Sequence, residues 1–274
     1  MQFNLDFLRY ITYILNNFDV YNIGDNLSPE QPDAQDTYHY LRYHQHSVGA
    51  IVGLHYGIAH ESFDDGGAWR KPTATDLRHL SRGALWGALA VIIYVESAIG
   101  LGLMRCPEAG WRRWSPQKLA RSSADMGLLT LAVAWNEEVM FRGTGYTLLR
   151  RFLNPTLASI VSIVLFALWH GTGWLRVANY LVMATSFHLL RLETGNIWLS
   201  YGFHLGLGWA QKSLYSPVGM VPALRPVEMT GSEQWIGKLG TTKPGIFTFI
   251  WLCGVLVVLG IRFLHLRRAK HASS

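Results

Sequence analysis

LAVAWNEEVMFRGTGYTLLRRF, residues 131–152, opens as an apolar helix and then places Glu137, Glu138 and Arg142 within six residues. An ionised side chain at the centre of a bilayer costs about 3 kcal/mol even on the mildest scale, so such groups face a bundle interior and pair. Glu138 and Arg142 are spaced four apart with the carboxylate on the N-terminal side, the favourable order for a pair on one helix face. Glu137 is turned by about 100° from Glu138 and is free to aim elsewhere. This stretch therefore predicts a polar cluster inside a membrane bundle.

The surrounding chain supports that fold class. Of 274 residues, 50% are hydrophobic and 15% charged, with 11 Trp, 12 Tyr and 12 Phe, and the apolar residues gather into long runs with aromatic flanks. GALWGALAVIIYVESAIGLGLM, residues 83–104, is long enough to cross a bilayer and carries one Glu96. Further helices are expected at about 125–150, 155–170, 176–191, 196–214 and 245–266. Asn154-Pro155 reads as a helix start, and Pro244 as that of the last helix. Helices rather than strands follow from the absence of repeated ten-residue alternation. The expected architecture is an all-α, polytopic membrane helical bundle with the catalytic cluster buried between transmembrane helices. Residues 83–274 are its membrane domain. Residues 1–82 are a partly polar N-terminal extension, read as interfacial or as one short span, with no signal-peptide pattern.

A net charge of +6 does not point to nucleic acid, because the basic residues form no stripe interleaved with aromatics. They cap apolar runs, as with Arg112, Arg113 and Lys118, or Arg262, Arg267 and Arg268, where membrane lipids are the natural partners. Lys and Arg are too evenly divided between alternate loops to fix an orientation. Cys106 and Cys253 are too few for a disulfide framework. His39, His44, His46, His55 and His60 show no convergent partner set for a metal. The loop 229–245 is a candidate cover for the site.

Two later spans each carry a histidine in apolar surroundings. SIVSIVLFALWHGTGW holds Phe166 and, four residues on, His170, and NIWLSYGFHLGLGWAQ holds His204. The chain has no HExxH and no Gly-x-Ser-x-Gly elbow. A carboxylate and two imidazoles remain, and these activate water in one of two ways. Either Glu137 is a general base with His170 helping to hold the water, or a divalent metal such as zinc is bound by Glu137, His170 and His204.

Glu137-Glu138-x-x-x-Arg142, Phe166-x-x-x-His170 and the motif around His204 resemble the three motifs of the CAAX protease and bacteriocin-processing (CPBP) family of intramembrane proteases, which includes type II CAAX prenyl proteases. The resemblance covers about residues 125–215. It implies an intramembrane endopeptidase, multi-pass and in the bacterial cell membrane, acting on hydrophobic or lipidated membrane-associated peptides or proteins. It assigns Glu137 as the base, His170 as its partner, Glu138 and Arg142 as organisers and His204 as an oxyanion stabiliser. The family's next residue on that face, four after the histidine, is Asn or Asp, whereas this chain has Gly208. Asn179, on a neighbouring span, is the candidate to supply the missing hydrogen bond. The alternative to proteolysis is a non-proteolytic scaffold or partner-binding protein of the same fold, which Gly208 favours. A proton-coupled transporter fits less well, since paired glycine-broken half-helices are missing.

Overall fold

The computed structural model describes residues 72–272 apart from residues 172, 219 and 239–242. Residues 1–71 of the N-terminal extension, with His39, His44, His46, His55 and His60, lie outside the described residues. In chain order the elements are α1 (Ala74–Gly100), β1 (Met104–Arg105), α2 (Gly110–Arg113), α3 (Pro116–Glu138), a π turn π1 (Val139–Gly143), α4 (Thr144–Phe152), α5 (Pro155–Trp169), α6 (Trp174–Thr194), α7 (Trp198–Trp209), a second π turn π2 (Ala210–Leu214), β2 (Glu228–Met229), α8 (Glu233–Ile236), β3 (Gly237–Lys238), β4 (Lys243–Pro244) and α9 (Ile246–Ala272). The fold is helical, as the sequence predicts.

Helix boundaries follow local chemistry. Thr73 and Asp76 cap α1 reciprocally, the Thr73 N–H donating to Asp76 Oδ2 at 2.8 Å and the Asp76 N–H to Thr73 Oγ1 at 3.3 Å. This capping box starts the helix in polar sequence, so residues 74–82 are the first turns of α1 and the helix precedes its apolar run. Asn154 caps α5 by accepting from the Leu157 N–H at 3.0 Å, with Pro155 at the first helical position. Pro244 differs from expectation: it sits in the β3–β4 hairpin and α9 begins two residues later.

Two helices, Ala74–Gly100 and Ile246–Ala269, are long and apolar enough to cross a membrane, and Pro155–Trp169 is apolar but shorter. The predicted spans over 125–150 and 196–214 do not run as single α-helices, because π1 and π2 interrupt them.

Glycines set the tightest helix crossing. Gly83 and Gly87 of α1 meet the backbone of Leu199 and Phe203, while Gly202 and Gly206 of α7 meet the backbone of Leu80 and Ala84. Spacing of four on both helices makes each a small-residue stripe, which lets two backbones touch in an apolar medium. The other helices complete the bundle: α3 packs on α7, and α6 packs between α5, α7 and α9. Glu193 of α6 ties three helices together, accepting from Arg82 of α1 at 3.2 Å and Arg262 of α9 at 2.7 Å.

The segment after π2 lies against the end of α1. Glu96 accepts from the Tyr215 hydroxyl at 2.6 Å and pairs with Arg225 at 2.7 Å. Within the loop 229–245, Ile236 is buried beside Val91, Tyr94 and Val95 of α1 rather than over the glutamates.

A Cβ at 206 would enter the Ala84 backbone, which cannot yield as a side chain can. Gly206→Ala is expected to lose about 1–3 kcal/mol of stability, read as a lowered thermal unfolding midpoint in detergent, whereas Gly260→Ala, facing open space, leaves it unchanged.

Candidate active site

Three helical segments bring the polar groups together. Glu137 and Glu138 end α3, Arg142 lies in π1, His170 closes α5 and His204 sits in the middle of α7. All but His204 are buried, and its side chain is only 14% exposed. Because Gly202 and Gly206 turn towards α1, His204, two residues from each, faces the opposite side of α7 where α3 and α6 lie.

Glu138 and Arg142 are both fully buried, and Arg142 Nη1 approaches Glu138 Oε1 at 3.4 Å. The pair predicted from the four-residue spacing is formed, although across a π turn. Arg142 Nη2 also donates to the Ala184 carbonyl at 3.3 Å. Its guanidinium lies 4.0 Å from the Phe166 ring centroid and 5.1 Å from that of Phe187. Phe166 thus has two functions in its motif, since its ring also packs 4.4 Å from His170.

Both imidazoles face Glu137. His170 Nε2 lies 3.5 Å and His204 Nε2 3.8 Å from Glu137 Oε2, and that oxygen is buried without a hydrogen bond. On its other edge His170 Nδ1 meets the Phe166 carbonyl at 2.8 Å. A carbonyl only accepts, so Nδ1 carries a proton, and Nε2 is the nitrogen turned towards Glu137. His204 Nδ1 meets Glu138 Oε1 at 3.3 Å, and the same reasoning puts its proton on Nδ1.

Helix α6 holds both rings through residues that sequence reasoning missed. Tyr180 stacks on His170 at 4.0 Å and Phe187 on His204 at 4.7 Å. Their spacing of seven, placing both on one face of α6, was the available signal.

Asn179 is buried, its amide donating at 2.8 Å to the Leu175 carbonyl of its own helix while its Oδ1 has no hydrogen-bond partner. Its neighbour Tyr180 is the residue that reaches the site.

Among the described residues no group of three His, Cys, Asp or Glu side chains is arranged as a metal site. His170 and His204 both turn Nε2 to Glu137 Oε2 with Nδ1 held by an acceptor, the orientation that a metal-bound imidazole also takes.

Residues 108–210 match the family described as type II CAAX prenyl endopeptidase Rce1-like. This agrees with the CPBP resemblance carried by the three motifs, and that family is one of membrane-embedded proteases. No curated protein and no solved structure matches the chain.

Removing the arginine leaves the Glu138 carboxylate buried without its cation. Arg142→Met is therefore expected to cost about 3–5 kcal/mol, seen as a large fall in the thermal midpoint. Pairing it with Glu138→Met should restore much of that loss.

Proposed function

We propose that the protein is an intramembrane endopeptidase hydrolysing peptide bonds in hydrophobic or lipidated membrane-associated substrates, with Glu137 activating the water. We place it as a multi-pass protein of the bacterial cell membrane, on the family resemblance. The observation that carries the reading is the division of labour between adjacent carboxylates: Glu138 is engaged by Arg142 and His204, whereas Glu137 Oε2 has an uncommitted lone pair facing two imidazoles.

The chemistry follows from those positions. A water held between Glu137 Oε2 and His170 Nε2 gives a proton to the carboxylate while its oxygen attacks the scissile carbonyl carbon. The carbonyl π electrons move onto oxygen, forming a tetrahedral oxyanion. Glu137 then passes the proton to the amide nitrogen as the C–N bond breaks, so an amine leaves, a carboxylic acid forms and the base is regenerated. Arg142 acts by fixing Glu138, and through it His204. His204 donates its Nδ1–H to Glu138 as a hydrogen bond, so Nε2 donates only when the ring carries a second proton.

Gly208 favours a second reading, in which the fold is a scaffold without proteolysis and the polar cluster is structural. The two readings diverge at one atom. Glu137→Gln keeps the shape and removes the base. Under the protease reading, cleavage of a peptide library by purified protein in liposomes falls by at least about two orders of magnitude with the thermal midpoint unchanged. Retained cleavage defeats the assignment, and a midpoint that falls while no parent activity exists supports the scaffold.

The reading in which Glu137 acts without a metal makes a further expectation. Treatment with EDTA or 1,10-phenanthroline should leave turnover of the same substrate unaltered, and loss restored by added zinc would reinstate the metal mechanism.

A further inference from the structure

The two imidazoles that turn Nε2 to Glu137 Oε2 are each met face on by an aromatic ring of α6. Tyr180 lies 4.0 Å from His170 with 18° between the ring planes, and Phe187 lies 4.7 Å from His204 at 24°. His188, on α6 itself, is placed differently. Its Nε2 lies 2.8 Å from the Ser159 hydroxyl, and its aromatic neighbour Tyr146 meets it edge on, at 75°. Parallel stacking thus marks the two rings of the site and not this third one.

His170 has the greater need of such a support. It caps the C-terminus of α5, and the chain leaves it through Gly171 at φ 114° and Gly173 at φ 106°, so the helix ends at the residue that carries the ring. The contact of Nδ1 with the Phe166 carbonyl fixes one edge of the imidazole. Rotation about that hydrogen bond stays open, and it would swing Nε2 away from Glu137 Oε2, which lies 3.5 Å off. A ring lying flat against the imidazole opposes this motion, because any tilt drives an edge into the tyrosine face. Phe166, inclined at 43°, braces the imidazole from a second direction.

Resting on the protease reading above, we infer that Tyr180 is a positioning residue, its ring holding the His170 imidazole in the plane that keeps Nε2 on the water shared with Glu137. Phe187, two helical turns further along the same face of α6, stands in the same relation to His204, so one helix aligns both imidazoles against one carboxylate. The role belongs to the ring, and the phenolic oxygen is dispensable for it. Its loss acts on kcat, since a misplacement of about 1 Å at the reacting atoms can cost about a hundredfold in rate. Tyr180 is only partly buried, so truncating it opens less of a cavity than truncating a core ring would.

The test is steady-state cleavage of one fluorogenic peptide by the full chain in liposomes, with unaltered protein, Glu137→Gln, Tyr180→Phe and Tyr180→Leu measured together with thermal midpoints. Tyr180→Leu is expected to lower kcat by about 10–100-fold with KM changed by less than about threefold. Tyr180→Phe, which keeps the ring, is expected to stay within about threefold of the parent in both constants. A leucine variant whose kcat stays within threefold of the parent, whatever its midpoint, makes Tyr180 a packing residue and overturns its positioning role. A loss confined to KM, or a phenylalanine variant that falls as far as the leucine one, overturns that role equally. Should Tyr180→Leu fail to fold, Tyr180→Met is read against the same limits, and a Tyr180→Phe that loses more than tenfold overturns the role without either. Absence of cleavage by the parent, or cleavage that survives Glu137→Gln, overturns the protease reading and this inference with it.

Discussion

The rest of the site depends on the burial of Glu138 against Arg142. Both side chains are out of contact with solvent, and neither can be ionised there without the other. Their 3.4 Å contact fixes several other features. It requires the guanidinium to sit between Phe166 and Phe187, which docks α5 and α6 onto the end of α3. It gives Glu138 the charge that holds His204 by Nδ1. The structural ion pair thereby engages Glu138, while Oε2 of the adjacent Glu137 keeps no hydrogen-bond partner.

A second constraint acts from outside the cluster. The glycine faces of α1 and α7 permit backbone contact, and the close crossing determines which way His204 points. Replacing that crossing by bulky side chains would move α7 as a body and take the imidazole with it. Helix packing and site geometry are therefore one problem here, since α7 is pinned on one face by backbone contact and on the other by Phe187 and Glu138.

Much of this is legible in the sequence. The apolar runs, the Asn154-Pro155 start and the spacing of Glu138 and Arg142 each rest on local periodicity, and the structure contains the corresponding helices and ion pair. The three motifs identify the residues that converge. What is not legible depends on register between distant segments. The π turns at Val139–Gly143 and Ala210–Leu214 leave no composition signal, yet the first of them determines where Arg142 stands. Polarity alone singles out Asn179, whose amide N–H turns back to Leu175 of its own helix and whose Oδ1 is left without a partner. The aromatic face of Tyr180 and Phe187 carries α6 to the site instead.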